Sequence, residues 1–393
     1  MKIVYCGAYR LPNQDAASQR VLNNARALKE SGHEIIIISW GGAYREEDRM
    51  LDGRYTIDGI QYVITNELGA GGRFVNRLRS LYHRGEVTLY LLREQFNDVD
   101  VIITYNASNK FTKQVISFCI KRNIKIINDI TEWYDNKELH FFQRYDNWVN
   151  MTKTQHKVKN KIVISRYLDT VYNGSHNLII PATCDATETK WQQGSAAAMK
   201  KVGDFDGITL IYAGTPARKD AVHYAINAVQ RLIDEGANIR FLIVGAEREH
   251  YLKTYAELLA NRDLSDRIQF LGRVPQEEVP SYYALADFML LLREPTRKSN
   301  AGFPTKFSES FTSGTPVIAN LTSDLGQYLL DGKTGFVVKE PTEEAVYETL
   351  KNRVIGLTTE KIENMKFNVR QESKRLDYHY YVDPLREFMS NLK

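Results

Sequence analysis

The sequence predicts an α/β fold made of two doubly wound domains, each a parallel sheet covered by helices. Short apolar runs alternate with helical patterns along the chain, which is typical of such sheets. The alternation occurs twice, on either side of a break of polar and small residues at 186–207, which we interpret as a linker. At a prior of about 150 residues per domain, 393 residues indicate two or three domains. We place the domains at 1–190 and 205–374, and we expect that the helical tail 375–393 can pack back on the first.

The elements of the first half follow from its apolar runs. Ile3–Cys6 predicts the first strand, which ends at Gly7, and a loop is expected from Ala8 to Asp15. Apolar side chains at helical spacing predict a helix over 16–30. Four consecutive isoleucines within Glu34–Ser39 are typical of a strand covered on both faces. Further strands are predicted at Val101–Thr104, Lys125–Ile130, Lys161–Ser165 and Leu178–Ile180.

The second half repeats the pattern, and three of its strands run directly into a glycine. These strands are Ile208–Ala213, Ile239–Val244 and Ile268–Leu271, followed by Gly214, Gly245 and Gly272. Glycine lets the backbone turn tightly and approach a ligand, although a plain turn glycine is the alternative for each. Later strands are predicted at Phe288–Leu292, Val317–Asn320 and Gly335–Val338, with helices near 220–235, 249–261, 276–285, 306–312 and 343–351 and a helical tail.

Composition excludes several classes of protein. A net charge of +4 over 393 residues does not indicate nucleic-acid binding. No apolar run approaches the roughly 20 residues of a membrane span. Three scattered cysteines favour a reduced, intracellular protein, and no spacing suggests a metal site. The glycine patterns of nicotinamide enzymes and P-loop kinases are missing after the first strand of either half. We therefore expect neither a cofactor nor a metal.

Two groups of residues in the second half suit a nucleotide. Arg218 and Lys219 stand in a strand-to-helix turn, where a helix N-terminus already favours an anion. Lys306 and Glu309 share one helix face, so that a cation for phosphate and a carboxylate for paired ribose hydroxyls lie together. The alternative for Arg218 and Lys219 is that both side chains point to solvent. The alternative for Lys306 and Glu309 is an ordinary surface ion pair.

The stretch that contains Lys306 carries a specific resemblance. Its sequence is Ser299-Asn300-Ala301-Gly302-Phe303-Pro304-Thr305-Lys306-Phe307-Ser308-Glu309, continuing to Gly314-Thr315-Pro316-Val317-Ile318. This resembles the donor-binding segment of retaining GT-B glycosyltransferases, glycosyltransferase family four (glycosyl transferases group 1). Shorter matches lie in the same order at Gly32-His33-Glu34, Phe270–Val274 and Asp331–Phe336. The resemblance covers nearly the whole chain and implies two Rossmann-like domains facing a central cleft.

The resemblance also implies roles for residues. Glu309 would bind the donor ribose, and Arg218, Lys219 and Lys306 would hold the diphosphate. Arg273 and Val274 would lie at the base, and the remaining donor-binding positions are Gly214, Asn300, Gly302, Phe303, Pro304 and Thr305. The family often has a glutamate where this chain has Ala301, so the resemblance does not predict which donor sugar is used. Asn300 is a candidate for the sugar contact that this glutamate would make. Retaining transfer in this family is described as front-face displacement, helped by the departing phosphate, without a metal or a protein nucleophile.

The first half would bind the acceptor in such a fold. Ser18 and Arg20 follow the first predicted strand, close to the expected cleft. Asp129 and Glu132 stand at the end of a later strand beside Trp133 and offer acceptors next to an aromatic platform. A capped helix start is the alternative for this second group.

The same half contains two basic segments, 71–93 and 144–172. They suggest peripheral attachment to an anionic membrane surface, with a solvated basic face as the alternative. The sequence thus predicts a cytoplasmic enzyme that moves a sugar from a UDP-sugar to a glycan or polyprenyl-linked acceptor. If the basic segments bind a membrane, the enzyme would be attached to the inner leaflet. A catalytically inactive partner subunit and a GT-B sugar-nucleotide epimerase are the alternatives.

Overall fold

The computed structural model describes residues 1–12, 15–68, 85–191, 196–216, 220–259 and 264–393, except for the side chains of Phe142 and Ala256. The chain forms two compact units. The first comprises Met1–Cys184, Ala301–Phe303 and Tyr378–Lys393. The second comprises Asp185–Asn300 and Pro304–Asp377.

The first unit is built on an eight-stranded sheet. Its strands are β1 Lys2–Leu11, β2 Glu34–Gly42, β3 Tyr55–Ile57, β4 Ile60–Ile64, β5 Val101–Tyr105, β6 Lys125–Ile130, β7 Asn160–Val163 and β8 His176–Ile179. Their order is β3-β4-β2-β1-β5-β6-β7-β8, and every pair except β3–β4 is parallel. The described α-helices are α1 Ala16–Glu30, α2 Glu86–Glu94, α3 Asn109–Arg122, α4 Phe141–Val149, α5 Arg166–Val171 and the last helix of the chain, Val382–Ser390.

The isoleucine run of β2 shows why this sheet is covered on both faces. Ile35 and Ile37 belong to the apolar core that also holds the buried residues of α1, whereas Ile36 and Ile38 belong to the core on the other face. Alternate side chains of a strand point to opposite faces, so an unbroken apolar run needs two cores. The expectation from the isoleucines is confirmed.

One expectation for the first unit is wrong, and one pair of strands was not predicted. The loop expected from Ala8 does not start there, because β1 continues to Leu11 after a register shift between Gly7 and Arg10. The Ser39 hydroxyl donates to the Tyr9 carbonyl at 2.8 Å and helps to hold this extension. The antiparallel pair β3–β4 was not expected at all, because its strands are short and only partly buried.

The second unit contains a six-stranded, all-parallel sheet. Its strands are β9 Ile208–Ala213, β10 Ile239–Val244, β11 Ile268–Phe270, β12 Phe288–Leu291, β13 Val317–Asn320 and β14 Gly335–Val338, in the order β11-β10-β9-β12-β13-β14. Its helices are α6 Ala196–Val202, α7 Val222–Asp234, α8 Arg248–Tyr255, α9 Val279–Ala284, α10 Arg297–Ala301, α11 Thr305–Thr312, α12 Glu343–Thr349 and α13 Thr359–Glu372, with α10 ending in the first unit. The last helix of the chain, Val382–Ser390, belongs to the first unit and is numbered α14.

The stretch 186–207, which its composition indicated as a linker, is partly helical where the structure describes it. A short turn at Thr189–Trp191 and helix α6 lie within it, and Ala198 and Val202 of that helix are buried. Residues 196–202 therefore pack as a helix rather than serve as an extended spacer. Within the described residues, no helix is long and apolar enough to cross a membrane.

Candidate functional site

The second sheet offers a ligand position at the carboxyl ends of β9 and β12. These neighbouring strands mark the place where the strand order reverses, since β10 and β11 lie on one side and β13 and β14 on the other. In open α/β sheets, ligands bind at such a switch point, next to the carboxyl ends of the strands. The segments that follow β9 and β12 are therefore the first place to look for functional side chains.

The three strand-end glycines form a bonded series along this edge. Gly214, Gly245 and Gly272 have φ values of +133°, +107° and +66°, a region that favours glycine. The Gly245 amide donates to the Gly272 carbonyl at 2.7 Å, and the Gly214 amide donates to Val244 at 2.8 Å. A Cβ on Gly245 would lie only 2.6 Å from the Gly214 carbonyl carbon. Both conformation and close packing therefore require glycine here.

Lys306 lies against the first of these glycines. A Cβ added to Gly214 would overlap Cε of Lys306 and lie 2.9 Å from Nζ. The Lys306 ammonium also stands over the Tyr212 ring, 5.4 Å from its centroid, within cation–π range. Helix α11 sets this position because Phe307 and Phe311 are fully buried, which leaves Lys306 on the half-buried side. The structure thus brings a cation to the end of β9.

Glu309 is one turn further along the same side of α11 and is half-buried. Burial raises the pKa of its carboxyl to about 7, although the charges of Lys306 and Lys190 act in the opposite direction. Lys190 comes from the turn Thr189–Trp191, in the stretch that composition had assigned to a linker. A carboxylate between two lysines, at the edge of a parallel sheet, can accept hydrogen bonds from neutral hydroxyl groups.

Sequence reasoning missed a buried network beside Lys306. The Tyr212 hydroxyl donates to Asp220 at 3.0 Å, and Arg293 Nη2 lies 3.9 Å from the other Asp220 oxygen. Asn320 fixes the Arg293 backbone, since its side-chain amide accepts from the Arg293 N–H and donates to the Arg293 carbonyl, both at 2.8 Å. Arg293 directly follows the apolar run of β12. That strand-end position was the signal that could have identified it.

The other predicted donor-binding residues differ in their exposure and are not joined to Lys306 and Glu309 by any contact described above. Arg273 is exposed, whereas Val274, Asn300 and Thr305 are half-buried, and the Asn300 side-chain oxygen accepts from the Ser323 amide at 3.1 Å. Pro304 is buried and caps α11. Arg218 and Lys219 lie outside the described residues.

The loop from Ala301 to Phe303 packs with the first unit. There the Ser165 hydroxyl donates to the Ala301 carbonyl at 2.7 Å, and the Ala301 side chain is fully buried. Phe303 is buried as well, whereas Gly302 is half-buried. Ala301, at the position where the family often has a glutamate, is therefore a small side chain in a packed environment. The donor-binding roles of Gly302 and Phe303 stay predictions.

In the first unit, the acceptor-side candidates Arg20 and Asp129 bind each other. Arg20 Nη2 lies 2.8 Å from Asp129 Oδ1, and both side chains are nearly or wholly buried. Arg20 also donates to the carbonyls of Ile180 and Pro181 at 2.7 and 3.0 Å, and the Tyr5 hydroxyl donates to Asp129. This buried pair joins β1, α1 and β6 to the segment after β8. It accounts for both residues structurally, and their part in acceptor binding stays a prediction.

Ser18 and Glu132 have different surroundings. Ser18 is fully buried and completes the capping box of α1, with its amide donating to Asp15 at 2.7 Å. Glu132 is half-buried and hydrogen-bonds to Tyr134, whose pKa is raised by burial and by the Glu132 charge. Of the four acceptor-side candidates, Glu132 is therefore the one that a ligand can reach.

The described residues do not gather the ligands of a metal ion. Over the described ranges, no three His, Cys, Asp or Glu side chains come together as a metal site would require. The donor site as described offers lysine and arginine instead, in Lys306, Lys190 and Arg293. These cations can oppose the charge of a phosphate group without a proton transfer.

Comparison with known proteins agrees with this geometry. Residues 198–371 match the sequence profile of the family described as glycosyl transferases group 1. A GDP-mannose-dependent alpha-(1-6)-phosphatidylinositol monomannoside mannosyltransferase of Mycobacterium tuberculosis is 28% identical over 142 residues, covering 35% of each chain. The D-inositol 3-phosphate glycosyltransferase of Nocardia farcinica is 29% identical over 189 residues, covering 46% of this chain and 41% of the relative. The matches thus span about a third to two-fifths of these relatives' lengths.

Solved structures extend the comparison to the whole chain. Sucrose-phosphate synthase from Thermosynechococcus elongatus superposes with a TM-score of 0.76 at 14% identity, covering 100% of this chain and 99% of that one. HepE of Anabaena, in complex with UDP-glucose, gives a TM-score of 0.70 at 14% identity and covers 100% of both chains. At such identities the likeness shows the fold. The chain therefore has the GT-B fold predicted from its sequence, and its residues 198–371 are similar to the glycosyl transferases group 1 family.

Proposed function

We propose that this protein is a retaining glycosyltransferase that takes its sugar from a nucleoside diphosphate sugar. The observation that carries the proposal is the pairing of Lys306 and Glu309 on the half-buried side of α11, with Lys306 against Gly214 at the end of β9. A lysine suits the diphosphate and a carboxylate suits the ribose hydroxyls, so one helix face holds partners for both parts of a nucleotide.

The cations of the site supply the main catalytic contribution in this proposal. Charge develops on the diphosphate as the glycosidic bond to it breaks, and fixed cations stabilise that charge. Lys306 and Arg293 are the described candidates, and Arg218 and Lys219 join them from the sequence. We therefore propose that transfer needs no metal, so that turnover in EDTA should equal turnover without it. Loss of turnover in EDTA would contradict this part of the proposal.

For the donor we propose uridine as the base, as in the UDP-glucose complex of HepE. The mannosyltransferase of M. tuberculosis is GDP-mannose-dependent, so guanosine donors are the competing outcome. The acceptor we propose is a glycan or a polyprenyl-linked glycan, used on the cytoplasmic side of a membrane. The names of two relatives, a phosphatidylinositol monomannoside mannosyltransferase of M. tuberculosis and a putative colanic acid biosynthesis glycosyltransferase of Salmonella typhimurium, support a glycoconjugate acceptor.

The test is a panel of UDP- and GDP-sugars with the purified full chain. Release of the nucleoside diphosphate from one donor, above a no-protein blank, is the expected result. Binding of a nucleotide without release from any donor would favour an inactive partner subunit, and interconversion of two nucleotide sugars would favour an epimerase. Failure of the wild type to bind any nucleotide would contradict a donor site altogether.

Replacing Glu309 tests the residue assignment. Glu309→Gln should weaken nucleotide binding by about tenfold or more, because a hydrogen bond to a charged group contributes about 1.5–3 kcal/mol. Calorimetric titration with UDP and GDP gives the measurement. Glu348→Gln, an exposed glutamate in α12, serves as the matched control and should leave binding unchanged. Equal affinity in wild type and Glu309→Gln would remove Glu309 from the site.

A further inference from the structure

Helix α4 of the first unit exposes a row of aromatic side chains. Phe141, Tyr145 and Trp148 are 76%, 68% and 47% exposed, and Tyr134 just before the helix is 37% exposed. The spacing of four and then three residues puts the three helical side chains on one stripe. The Tyr145 and Trp148 rings are 6.3 Å apart and tilted by only 33°. We call Phe141, Tyr145 and Trp148 the aromatic ridge.

The rotation of α4 is fixed by its polar side, which packs against the start of α3. The Asn109 amide donates to Asp146 at 2.9 Å, and the Asn150 amide donates to the Ala107 carbonyl at the same distance. Asn150 and Met151 are buried just beyond the helix. These hydrogen bonds tie α4 to the start of α3, while the three large aromatic side chains of the helix face solvent. A row of exposed aromatic side chains on a helix that is fixed in this way indicates a binding surface.

The segment 144–172, which contains Tyr145 and Trp148 of the aromatic ridge, carries a surplus of exposed cations. Of the six cations in 144–172, Lys161 is buried, so it adds nothing to the surface. The exposed ones are Arg144, Lys153, Lys157, Lys159 and Arg166, against two acids, Asp146 and Asp169. The Lys153 ammonium lies 4.9 Å from the centre of the Trp148 ring, so at least one cation is part of the aromatic ridge itself. Residues 71–84 of the other basic segment lie outside the described residues.

We propose that the aromatic ridge docks on the surface of an anionic phospholipid bilayer. Tryptophan and tyrosine place an apolar ring among the acyl chains and a polar group among the headgroups, and nearby lysine and arginine attract acidic lipids. Phenylalanine adds apolar area that a soluble glycan would not need. A combination of these three aromatic types with a lysine against the Trp148 ring suits a lipid interface better than a sugar chain.

The position of the ridge also bears on the acceptor. Tyr134, which precedes α4, hydrogen-bonds to Glu132 at the end of β6, and Asn147 of α4 donates to the Tyr134 carbonyl at 3.4 Å. The acceptor-side candidate Glu132 is thus tied to the base of the ridge. The bilayer would present a lipid-linked acceptor next to this residue. That step rests on the proposed function, whereas docking on the bilayer does not.

The experiment is co-sedimentation of the full chain with vesicles of phosphatidylcholine containing about 30% phosphatidylglycerol, a fraction that gives a negative surface potential. Wild type should bind, less well at 0.5 M salt and less well to phosphatidylcholine alone. Tyr145→Ser/Trp148→Ser should lose at least tenfold in partitioning. Phe367→Ser/Tyr380→Ser is the matched control, since these aromatics are 56% and 54% exposed and lie outside the ridge, and it should bind like wild type.

Two further measurements separate the outcomes. Donor hydrolysis in solution should be equal in wild type and the ridge variant, so that loss of vesicle binding can be distinguished from failure of the proposed function. Light scattering tests whether the aromatic ridge instead joins two copies of the chain. In that case the wild type would be a dimer and Tyr145→Ser/Trp148→Ser would be a monomer. Such a dimer, the absence of vesicle binding by wild type, or undiminished binding by Tyr145→Ser/Trp148→Ser would each overturn the proposal.

Discussion

Glu309 shows how one residue can serve both as an expected ligand and as a source of pH dependence. Its carboxyl is half-buried on α11, and burial raises its pKa to about 7 against the opposing charges of Lys306 and Lys190. Near neutral pH, both forms of the carboxyl are therefore populated. Both oxygens of the ionised carboxylate can accept hydrogen bonds from the two hydroxyls of a ribose, whereas one oxygen of the neutral carboxyl carries a proton and is a donor.

This predicts that nucleotide binding strengthens as pH rises through 7. The apparent dissociation constant scales inversely with the fraction of protein in the competent form, so affinity for UDP should rise roughly tenfold between pH 6 and pH 8. The measurement is a titration with UDP at several pH values. UDP itself titrates in this range, and Glu309→Gln reports that contribution alone. Parallel pH profiles for wild type and Glu309→Gln would rule out Glu309 as the source of the effect.

Two buried pairs, one in each unit, show what a sequence does not reveal. Arg20 and Asp129 are 109 positions apart and bind each other, and no local pattern connects them. Asp220 and Arg293 lie 73 positions apart and meet only because β9 and β12 are neighbours in the sheet. Lys306 and Glu309, by contrast, could be recognised because a single helical turn joins them. Short-range spacing was therefore predictable, whereas long-range pairing needed the fold.

At the scale of elements, the strands were predictable where burial is complete. The Ile35–Ile38 run and the apolar runs that end at Gly214 and Gly245 lie in the structure as strands at the predicted positions. Strand β3 and helix α6 were not predicted because each has too few buried side chains to set a period. Strand β4 was not predicted either, although Ile60, Tyr62 and Ile64 are buried in alternation. The extension of β1 to Leu11 depends on tertiary bonds from Ser39, which its own sequence does not encode.

The glycine at the end of β9 provides a test of how an element positions the site. Gly214→Ala would place a Cβ at φ +133° and against Cε of Lys306, so Lys306 would have to move. Gly236→Ala is the matched control, since Gly236 has φ +87° and open space around it. Both variants should lose about 1 kcal/mol or more of stability from the backbone conformation.

Nucleotide binding should separate the two variants. Gly214→Ala is expected to weaken UDP binding by about tenfold or more, the size of one lost bond to a charged group. Gly236→Ala should bind UDP as wild type does, because it disturbs only the end of α7. Thermal unfolding and calorimetric titration give the two quantities. If Gly214→Ala bound UDP like wild type, the contact between β9 and Lys306 would not matter for the site.

At the scale of the whole molecule, the chain returns to its first unit at its end. Tyr378–Lys393 belong to that unit, and Leu385, Phe388 and Met389 are buried in the core formed by α1 and β1. Phe388 stacks on His176 of β8 with ring centres 4.6 Å apart. The backbone of Lys393 exchanges two hydrogen bonds with the side chain of Asn160, at 2.9 and 3.0 Å. The last helix is therefore part of the first unit's core.

This arrangement predicts that a substitution in the last helix destabilises the first unit. Leu385 is fully buried, and a leucine-to-alanine change at such a site costs about 2–5 kcal/mol through lost burial and the cavity left behind. Glu387→Ala, on the exposed side of the same helix, is the control and should change stability by less than about 0.5 kcal/mol.

Hydrogen exchange resolved along the chain should show Leu385→Ala weakening protection in β1, β2 and α1. Protection in β9 and β10 should stay at the wild-type level, because these strands belong to the other core. Equal loss in both sheets would mean that the two units unfold together, and no loss in either would mean that α14 contributes little to the core in which it is buried.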